Sequence, residues 1–369
     1  MKLEVVLMYV NGHDIFIIVF ITFLSSLILT PIVEKVARHV KALDYPNKRR
    51  LNKIPMPTMG GLAIFLSFML GYMLYARSSI QMLSILIGSF LLILMGMIDD
   101  INPIKAKYQL VVQLASAAII AFYGGITLDY VSILGVNITF LAPWSYIITI
   151  IIIVSIINAI NLSDGLDGLS SGISSIYFLT IAIIAFIMNA KEGLDTTLSL
   201  IMLGSTWGFL VYNFPPARIY VGDTGSNFLG FIIAVIALLG YKTATFTSLI
   251  IPLLILATPL IDVFFSIIRR ILKGQNPFNT PDKEHFHHQL LKMKFSTRSS
   301  LLIIYAIDIL FAAVSIFYAL GDTYYAIFIY IGLMIVFLFI VLKTDILFKR
   351  SKESKDENKK THRSKSRNH

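Results

Sequence analysis

Long apolar runs alternate with short polar segments along almost the whole chain. We delimit eleven apolar runs, at 15–33, 60–76, 80–98, 109–123, 146–160, 169–188, 197–213, 226–240, 246–268, 300–319 and 323–342. A helix of about 20 apolar residues spans the hydrocarbon core of a bilayer. Because a helix satisfies its own backbone hydrogen bonds in lipid, the pattern predicts an all-α polytopic membrane protein with about eleven transmembrane helices.

The composition supports this prediction. The chain is 56% hydrophobic and 14% charged, whereas soluble domains carry about 25% charged residues. It has no cysteine, which excludes disulfides and thiolate metal ligands. We see no alternating strands of a membrane β-barrel. No small-residue cleavage site follows the first apolar run, so we expect no cleavable signal peptide.

Positive charge is concentrated in alternate loops. On one side of the eleven spans lie all of the 31 Lys and Arg residues except Lys2, Arg77, Lys191 and Lys242. Cytoplasmic loops carry the excess of Lys and Arg, so the N-terminus is predicted outside and the C-terminus in the cytoplasm, at the cell membrane. The net charge of +10 is then a topology signal, and we expect no nucleic-acid partner.

The distribution of charged and apolar residues also divides the chain into two parts. We assign residues 1–345 to a transmembrane domain with cytoplasmic active-site loops. Residues 346–369 are charged and lack apolar periodicity, which predicts a basic, disordered cytoplasmic tail attracted to anionic lipid. The bilayer is thus one partner, and a second copy of the chain is another candidate partner.

The densest polar stretch is N-A-I-N-L-S-D-G-L-D-G, residues 158–168. It presents two amides and two carboxylates at a spacing of three residues, which would place them near one face of a helix. Its glycines permit a sharp turn or a close approach to a ligand. Because such polar density beside a membrane span is costly, it indicates a functional site.

Three further carboxylates lie at the predicted cytoplasmic ends of spans. Asp99 and Asp100 end the third run, and Asp223 lies in the short loop G-D-T-G that follows Pro215 and Pro216. Adjacent carboxylates repel each other unless a cation or a shared proton intervenes. Their hard oxygen ligands suit Mg²⁺ or Mn²⁺.

Basic and histidine residues fall on the same side. We consider as phosphate or sugar contacts Lys53, Lys107, Arg269, Arg270, His285, His287 and His288. Ordinary positive-inside anchoring is the alternative for the cations. Zinc binding is the alternative for the histidines, disfavoured because no cysteine is available.

Together these features point to phosphoryl or phospho-sugar transfer between a soluble anionic substrate and a lipid. A cation-coupled transporter is the alternative from another class, and it predicts acidic residues near the middle of spans. Asp308, inside the tenth run, is the exception to the placement at span ends. A membrane scaffold is a third alternative.

Four motifs resemble one family. D-D at 99–100, N-x-x-N-L-x-D-G-L-D-G-L at 158–169, P-P-A-R-I-Y-V-G-D-T-G-S at 215–226 and H-F-H-H at 285–288 resemble the polyprenyl-phosphate N-acetylhexosamine-1-phosphate transferases. The resemblance implies Mg²⁺-dependent transfer of a sugar 1-phosphate from a UDP-sugar to undecaprenyl phosphate, with release of UMP. The H-x-H-H form resembles the branch that uses UDP-N-acetylglucosamine (UDP-GlcNAc) and begins teichoic acid or polysaccharide synthesis. The branch that uses a UDP-muramyl pentapeptide is the alternative.

The resemblance also implies roles for individual residues. The implied catalytic residues are Asp99, as the base for the lipid phosphate, and Asp100, Asp223 and His287. The implied metal ligands are Asp223 and Asp100. The implied nucleotide contacts are Asp164, Gly165, Leu166, Asp167, Asn213 and Tyr220, and Asn161 is implied to support their pocket. The implied phosphate and sugar contacts are Lys53, Lys107, His285 and His288. Arg269 and Arg270 are further candidates on their own chemistry, because a guanidinium can bind phosphate through two hydrogen bonds.

Overall fold

A computed structural model describes residues 9–46, 54–133, 136–188, 193–242, 250–272, 285–321 and 323–343. Its helices are α1 Ile15–His39, α2 Gly61–Tyr75, α3 Ile80–Ile101, α4 Ala106–Ala118, α5 Trp144–Ser163, α6 Leu169–Ile187, α7 Leu194–Asn213, α8 Gly222–Lys242, α9 Ile250–Ile255, α10 Ala257–Leu272, α11 Phe286–Lys292, α12 Thr297–Ala319 and α13 Thr323–Lys343. A π-helical turn, Ile119–Tyr123, continues α4. The tail predicted over 346–369 lies outside the described residues.

Three small antiparallel ladders lie between the helices. They are formed by β1 Tyr9–Val10 with β2 His13–Asp14, β3 Leu43–Asp44 with β4 Met56–Pro57, and β5 Tyr130–Ile133 with β6 Val136–Thr139. Leu43 pairs with Pro57 in the second ladder, and Tyr130 pairs with Thr139 in the third. Each ladder joins neighbouring segments outside the helices.

The helices confirm a polytopic all-α membrane protein. In the described part of the chain, eight helices are long and apolar enough to cross a bilayer, namely α1, α3, α4 with its π-helical turn, α5, α6, α7, α8 and α12. The apolar helix α2 and the apolar part of α13, Tyr325–Phe339, are shorter. The count of eleven spans stays a prediction.

The ninth predicted run, 246–268, does not form one helix. Its described part is divided into α9 and α10, which are separated at Leu256. Pro259 lies in the first turn of α10 and has no N–H to donate to the carbonyl group of residue 255, so the α-helical ladder is interrupted there. The break separates an apolar helix from α10, which carries polar residues along one face.

Helix α8 lies at the centre of the bundle. It packs against α2, α3, α5, α6 and α7, and its side chains from Phe228 to Leu239 are almost all fully buried. Its first turns approach two neighbours backbone to backbone: a Cβ atom added at Gly61 would lie 2.0 Å from Gly225 Cα, and one at Gly96 would lie 2.3 Å from Thr224 Cα. Glycine at these positions lets α2 and α3 hold the start of α8.

The segment before α8 is fixed by hydrogen bonds to the segment before α2. Tyr220 N donates to Pro57 O at 2.9 Å, while Gly60 N and Gly61 N donate to Tyr220 O and Val221 O, each at 2.9 Å. The ends of α2, α3, α5 and α8 that carry the polar motifs therefore meet at one end of the bundle.

Candidate active site

The start of α8 is held by a carboxylate from the end of α3. Asp100 Oδ1 accepts from Asp223 N at 3.0 Å, and Asp100 Oδ2 accepts from Thr224 N at 3.2 Å and Thr224 Oγ1 at 2.5 Å. The first N–H groups of a helix have no partner within the helix, and the helix dipole favours an anion there. Asp100 thus caps α8, and these hydrogen bonds partly offset the cost of burying its carboxylate at the end of α3.

This capping corrects one expectation from the sequence. Asp223 was predicted on a short loop, whereas it lies in the first turn of α8. Gly222, with φ of +71°, makes the turn into the helix, a conformation that favours glycine. A Cβ atom at Gly222 would lie 2.4 Å from Asp100 Oδ2, so the close approach of Asp100 also requires glycine.

Two carboxylates share one amide donor. Gln109 Nε2 donates to Asp99 Oδ1 at 2.9 Å and to Asp223 Oδ2 at 3.2 Å. Asn161 Nδ2 donates to the other oxygen of Asp223 at 2.8 Å. We call these four residues, Asp99, Gln109, Asn161 and Asp223, the carboxylate cluster. It brings together α3, α4, α5 and α8.

A second layer of amides supports the cluster from within the bundle. Asn158 Nδ2 donates to Gln113 Oε1 at 2.8 Å, and Gln113 Nε2 donates to Asn227 Oδ1 at 2.9 Å. Asn227 Nδ2 in turn donates to Asp223 O at 2.8 Å. This network joins α4, α5 and α8 one helical turn away from the carboxylate cluster.

The D-G-L-D-G segment forms a turn. Helix α5 ends at Ser163, so the prediction that all four polar residues share one helix face is wrong for Asp164 and Asp167. Asp164 Oδ1 accepts from Ser170 Oγ at 2.6 Å, and Asp167 Oδ2 accepts from Ala217 N at 3.0 Å. Burial raises the pKa of Asp167 above its ordinary value, while the hydrogen bond from Ala217 opposes the rise.

Asn213 joins this turn to the loop that leads to α8. Its Oδ1 accepts from Gly168 N at 3.1 Å and Ser171 Oγ at 2.7 Å, and its Nδ2 donates to Ile219 O at 2.9 Å. Asn213 is buried, and both of its polar groups bind protein. A direct nucleotide contact stays a prediction for this residue; the observed contacts shape the loops around it.

The histidines approach the same turn from another side. Asp262 on α10 accepts from Phe286 N at 3.0 Å and lies 3.1 Å from His285 Nδ1. The His287 ring lies against Gly165, where an added Cβ atom would be 2.2 Å from His287 Nε2. Burial, with a smaller contribution from His288, lowers the pKa of His287 to about 3. His287 is therefore neutral at neutral pH.

The other predicted contacts are placed as follows. Lys53 lies outside the described residues. Lys107 is exposed near the start of α4, with its Nζ 4.9 Å from the centre of the Tyr108 ring. Tyr220 is half-buried in the loop before α8, and Leu166 is buried in the D-G-L-D-G turn. Arg269 and Arg270 lie in the last turns of α10.

Four contributors to the site were missed from the sequence, namely Gln109, Gln113, Asn227 and Asp262. Gln109 is a neutral residue at the edge of a weak apolar run, with no motif around it. Asp262 was overlooked inside the ninth run, although a carboxylate in an apolar run is itself a signal of function. Gln113 and Asn227, which support the cluster from the second layer, also have no signal in the sequence motifs.

The fit of a divalent metal can be tested on the donor atoms. In the described ranges, no three Asp, Glu or His side chains come close enough together to hold a metal ion. Mg²⁺ is usually bound by one or two carboxylates, with water and substrate phosphates as its other ligands. Asp99 and Asp223, whose oxygens flank one amide, fit that smaller ligand set. Asp100 has both oxygens hydrogen-bonded to α8, and its role as a ligand stays a prediction.

Comparison with known proteins identifies the family. The family model for glycosyl transferase family 4 matches residues 82–241. The chain is 40% identical to a probable undecaprenyl-phosphate N-acetylglucosaminyl 1-phosphate transferase of Bacillus subtilis, over 87% of this chain and 89% of that protein. It is 31% identical to the undecaprenyl-phosphate alpha-N-acetylglucosaminyl 1-phosphate transferase of Haemophilus influenzae, over 83% and 87% of the two chains.

A third relative extends the match to another lipid carrier. The chain is 31% identical to the decaprenyl-phosphate N-acetylglucosaminephosphotransferase of Mycobacterium leprae, over 75% of this chain and 76% of that protein. These matches confirm the family that the four motifs resemble. The chain belongs to glycosyl transferase family 4, the polyprenyl-phosphate N-acetylhexosamine-1-phosphate transferases.

Proposed function

We propose that the protein transfers N-acetylglucosamine 1-phosphate from UDP-GlcNAc to undecaprenyl phosphate, giving undecaprenyl-diphosphate-GlcNAc and UMP. The observation that carries the proposal is the carboxylate cluster at the start of α8, in a chain whose relatives bear names of this activity. The product is the lipid-linked first unit of a cell-envelope polymer, such as a teichoic acid or a polysaccharide.

The reaction is a single phosphoryl displacement. An oxygen of the lipid phosphate attacks the β-phosphorus of UDP-GlcNAc, and the bond from that phosphorus to the bridging oxygen of UMP breaks. Asp99, at the edge of the cluster, acts as the base that keeps the lipid phosphate ionised. Capture of a phosphorylated Asp99 or Asp100 would instead favour a two-step route.

The chain's own groups prepare this chemistry. Asp223, with Asp99 or Asp100 beside it, would hold a Mg²⁺ ion, and that ion would neutralise charge on the diphosphate. Asn161 and Gln109 orient the Asp223 carboxylate from both oxygens. Asp100 fixes the backbone that carries Asp223, so the carboxylate is positioned before substrate binds.

The nucleotide is proposed to bind at the D-G-L-D-G turn. Asp167 accepts a hydrogen bond from the uracil, and Tyr220 stacks on the base. Asp164, Gly165 and Leu166 form the floor of the pocket, and Asn161 and Asn213 support it. Hydrogen bonds from Ala217 and Gly168 hold the loops in one arrangement.

The sugar-phosphate is proposed to face the histidine segment and the basic residues. His287 is buried against Gly165, and its Nε2 has no hydrogen-bond partner among the described residues. A neutral imidazole nitrogen of this kind can bind a hydroxyl or phosphate oxygen. The other contacts assigned to this end of the donor are His285, His288, Arg269, Arg270, Lys53 and Lys107.

The lipid substrate is proposed to enter beside the break between α9 and α10. An apolar cavity of about 160 Å³ lies between these helices and α5 and α8. Among the residues that line it are Ile152, Ile156, Leu238, Pro252, Leu256 and Leu260. Polyprenyl chains are apolar, so burial there is favourable. The distribution of Lys and Arg over the eleven predicted spans supports a cytoplasmic position for the active site.

A double-label experiment tests the reaction class. Purified protein in detergent receives Mg²⁺, undecaprenyl phosphate and UDP-GlcNAc carrying ³H in the sugar and ³²P in the β-phosphate. We expect both labels in the lipid phase at equal molar amounts, and UMP in the aqueous phase. Sugar label without phosphorus would contradict the proposal, because it would indicate plain glycosyl transfer. Reactions without undecaprenyl phosphate give the blank.

A further inference from the structure

Helix α10 carries a polar face inside the protein. Thr258, Asp262, Ser266 and Arg269 follow one another at spacings of four, four and three residues, which places them on one side of the helix. Thr258, Ser266 and Arg269 are almost fully buried, and the Asp262 side chain is 10% exposed. Buried polar groups at membrane depth are costly and usually have a function.

Asp262 uses both carboxylate oxygens to hold the segment that carries the histidines. Oδ1 accepts from Phe286 N at 3.0 Å, and Oδ2 lies 3.1 Å from His285 Nδ1. Phe286 is the first residue of α11, and His285 before it makes no side-chain capping bond. Asp262 therefore supplies, from another helix, the cap that α11 lacks in its own sequence.

This cap determines where His287 points. The rings of His285 and His287 are parallel, with centroids 5.6 Å apart, and both project from the segment that Asp262 caps. His287 then fills the space above Gly165 so closely that no side chain fits there. The contacts run from Asp262 through His285 to His287 and end at the D-G-L-D-G turn.

We propose that Asp262 is a positioning residue for donor binding, which acts through His285 and α11 to hold His287 against the turn at Gly165. The inference rests on the proposed function, because it assigns the nucleotide and sugar-phosphate to that turn. It adds Asp262 of α10 to the residues that act in donor binding. Asp262 contacts the histidine segment and does not contact the substrate.

Substitution at Asp262 separates positioning from folding. For Asp262→Ala we expect the KM for UDP-GlcNAc to rise by about tenfold to a hundredfold, as small misplacements of binding groups do, with the KM for undecaprenyl phosphate unchanged. Asp262→Asn keeps an oxygen that can accept from Phe286 N, so the KM for UDP-GlcNAc should rise less than in Asp262→Ala. Asp14→Ala is the matched control, because Asp14 also caps a helix, accepting from Phe16 N at 2.8 Å, far along the sequence from every site residue.

A double-mutant cycle tests the route through His285. If Asp262 acts through that ring, the KM effects of Asp262→Ala and His285→Ala overlap, and the double variant is little worse than the more impaired of the two single variants. Fully additive effects, or a donor KM no different from that of Asp14→Ala, would overturn the proposal.

Hydrogen–deuterium exchange provides a readout that needs no substrate. Asp262→Ala should speed exchange in α11, residues 286–292, while α12 stays protected; unchanged exchange in α11 would also overturn the proposal. Failure of the proposed function is recognised separately, since wild-type protein would then show no calorimetric binding of UDP-GlcNAc while the α11 effect persisted.

Discussion

At the scale of single residues, neighbouring carboxylates have different environments. Asp100 directs both oxygens at the start of α8, whereas Asp99 accepts from Ile104 N at 2.8 Å and shares Gln109 with Asp223. The two side chains are adjacent in sequence but serve different partners. We therefore expect Asp100 substitutions to disturb the position of α8, and Asp99 substitutions to disturb the chemistry directly.

The first prediction concerns Asp223. Asp223→Asn keeps the shape of the side chain and an oxygen that can accept from Asn161, but it removes the negative charge that a metal needs. We expect turnover to fall by about two to three orders of magnitude, comparable with the loss of one strong electrostatic group. Asp129→Asn, at an exposed carboxylate, is the control. Near-normal turnover of Asp223→Asn in saturating Mg²⁺ would exclude its proposed metal role.

The second prediction concerns the effect of pH on stability through His287. Its pKa is about 3 in the folded protein and about 6.5 when unfolded, so between these values the unfolded chain binds a proton that the folded chain does not. Stability is then lost as pH falls below 6.5, by up to about 1.4 kcal/mol per pH unit.

Thermal unfolding in detergent at pH 7.5, 6.5 and 5.5 measures this effect. We expect His287→Gln to flatten the loss of stability between pH 6.5 and 5.5, because glutamine does not titrate. His39→Gln, at an exposed position on α1, should retain the wild-type slope. An identical slope in all three proteins would show that His287 is not the neutral buried imidazole described above.

At the scale of elements, the junction of α2, α3 and α8 positions Asp223. Close backbone contact at Gly61 and Gly96 leaves no room for a methyl group. Because the obstructing atoms are backbone, they cannot move aside as a side chain can. The position of Asp223 therefore depends on two glycines that place no side chain in the site.

The third prediction tests this junction. Gly61→Ala and Gly96→Ala should each destabilise the protein by about 1–3 kcal/mol, the usual cost of overpacking, and should lower activity by displacing the start of α8. Gly332→Ala is the matched control, since an added Cβ atom there meets nothing within 4 Å. Equal unfolding temperatures for Gly61→Ala, Gly96→Ala and Gly332→Ala would contradict the account.

Most of the helices were predictable from the sequence, and the exceptions have physical causes. Apolar length alone located the membrane helices, because the bilayer imposes it. The ends of helices were less predictable: α8 begins four residues before its predicted run because Asp100, 123 positions away, caps it. The break at Leu256 is marked locally by Pro259. The role of Asp262, in contrast, depends on two distant partners, His285 and Phe286. Local sequence does not contain that information.

At the scale of the whole molecule, the placement of carboxylates argues against a transporter. Asp99 and Asp100 lie at the end of α3 and Asp223 at the start of α8, so the clustered acids are at helix ends. Asp308 is different, being fully buried within α12. The hydroxyl group of Thr258 on α10 lies near the Asp308 carboxylate but makes no hydrogen bond to it. Asp262 of α10 is also largely buried, but both of its oxygens hold the histidine segment. Asp308 alone does not form the ion path that a cation-coupled transporter needs.

The fourth prediction concerns topology. The chain has no cysteine, so single-cysteine variants can be labelled without background. We expect Arg77→Cys to react with a membrane-impermeant maleimide in intact cells, and Lys105→Cys to react only after permeabilisation; both native side chains are exposed. The opposite pattern would reverse the orientation, and labelling of both in intact cells would overturn the span arrangement.

The central claim is the identity of the sugar-phosphate that is transferred. Purified protein with Mg²⁺ and undecaprenyl phosphate is offered radiolabelled UDP-GlcNAc and, separately, the radiolabelled UDP-muramyl pentapeptide, with Asp223→Asn as the blank. The account predicts label in the lipid phase from UDP-GlcNAc alone. Label from the pentapeptide donor alone would keep the chemistry but contradict the substrate, and label from neither with an intact preparation would contradict the assigned function.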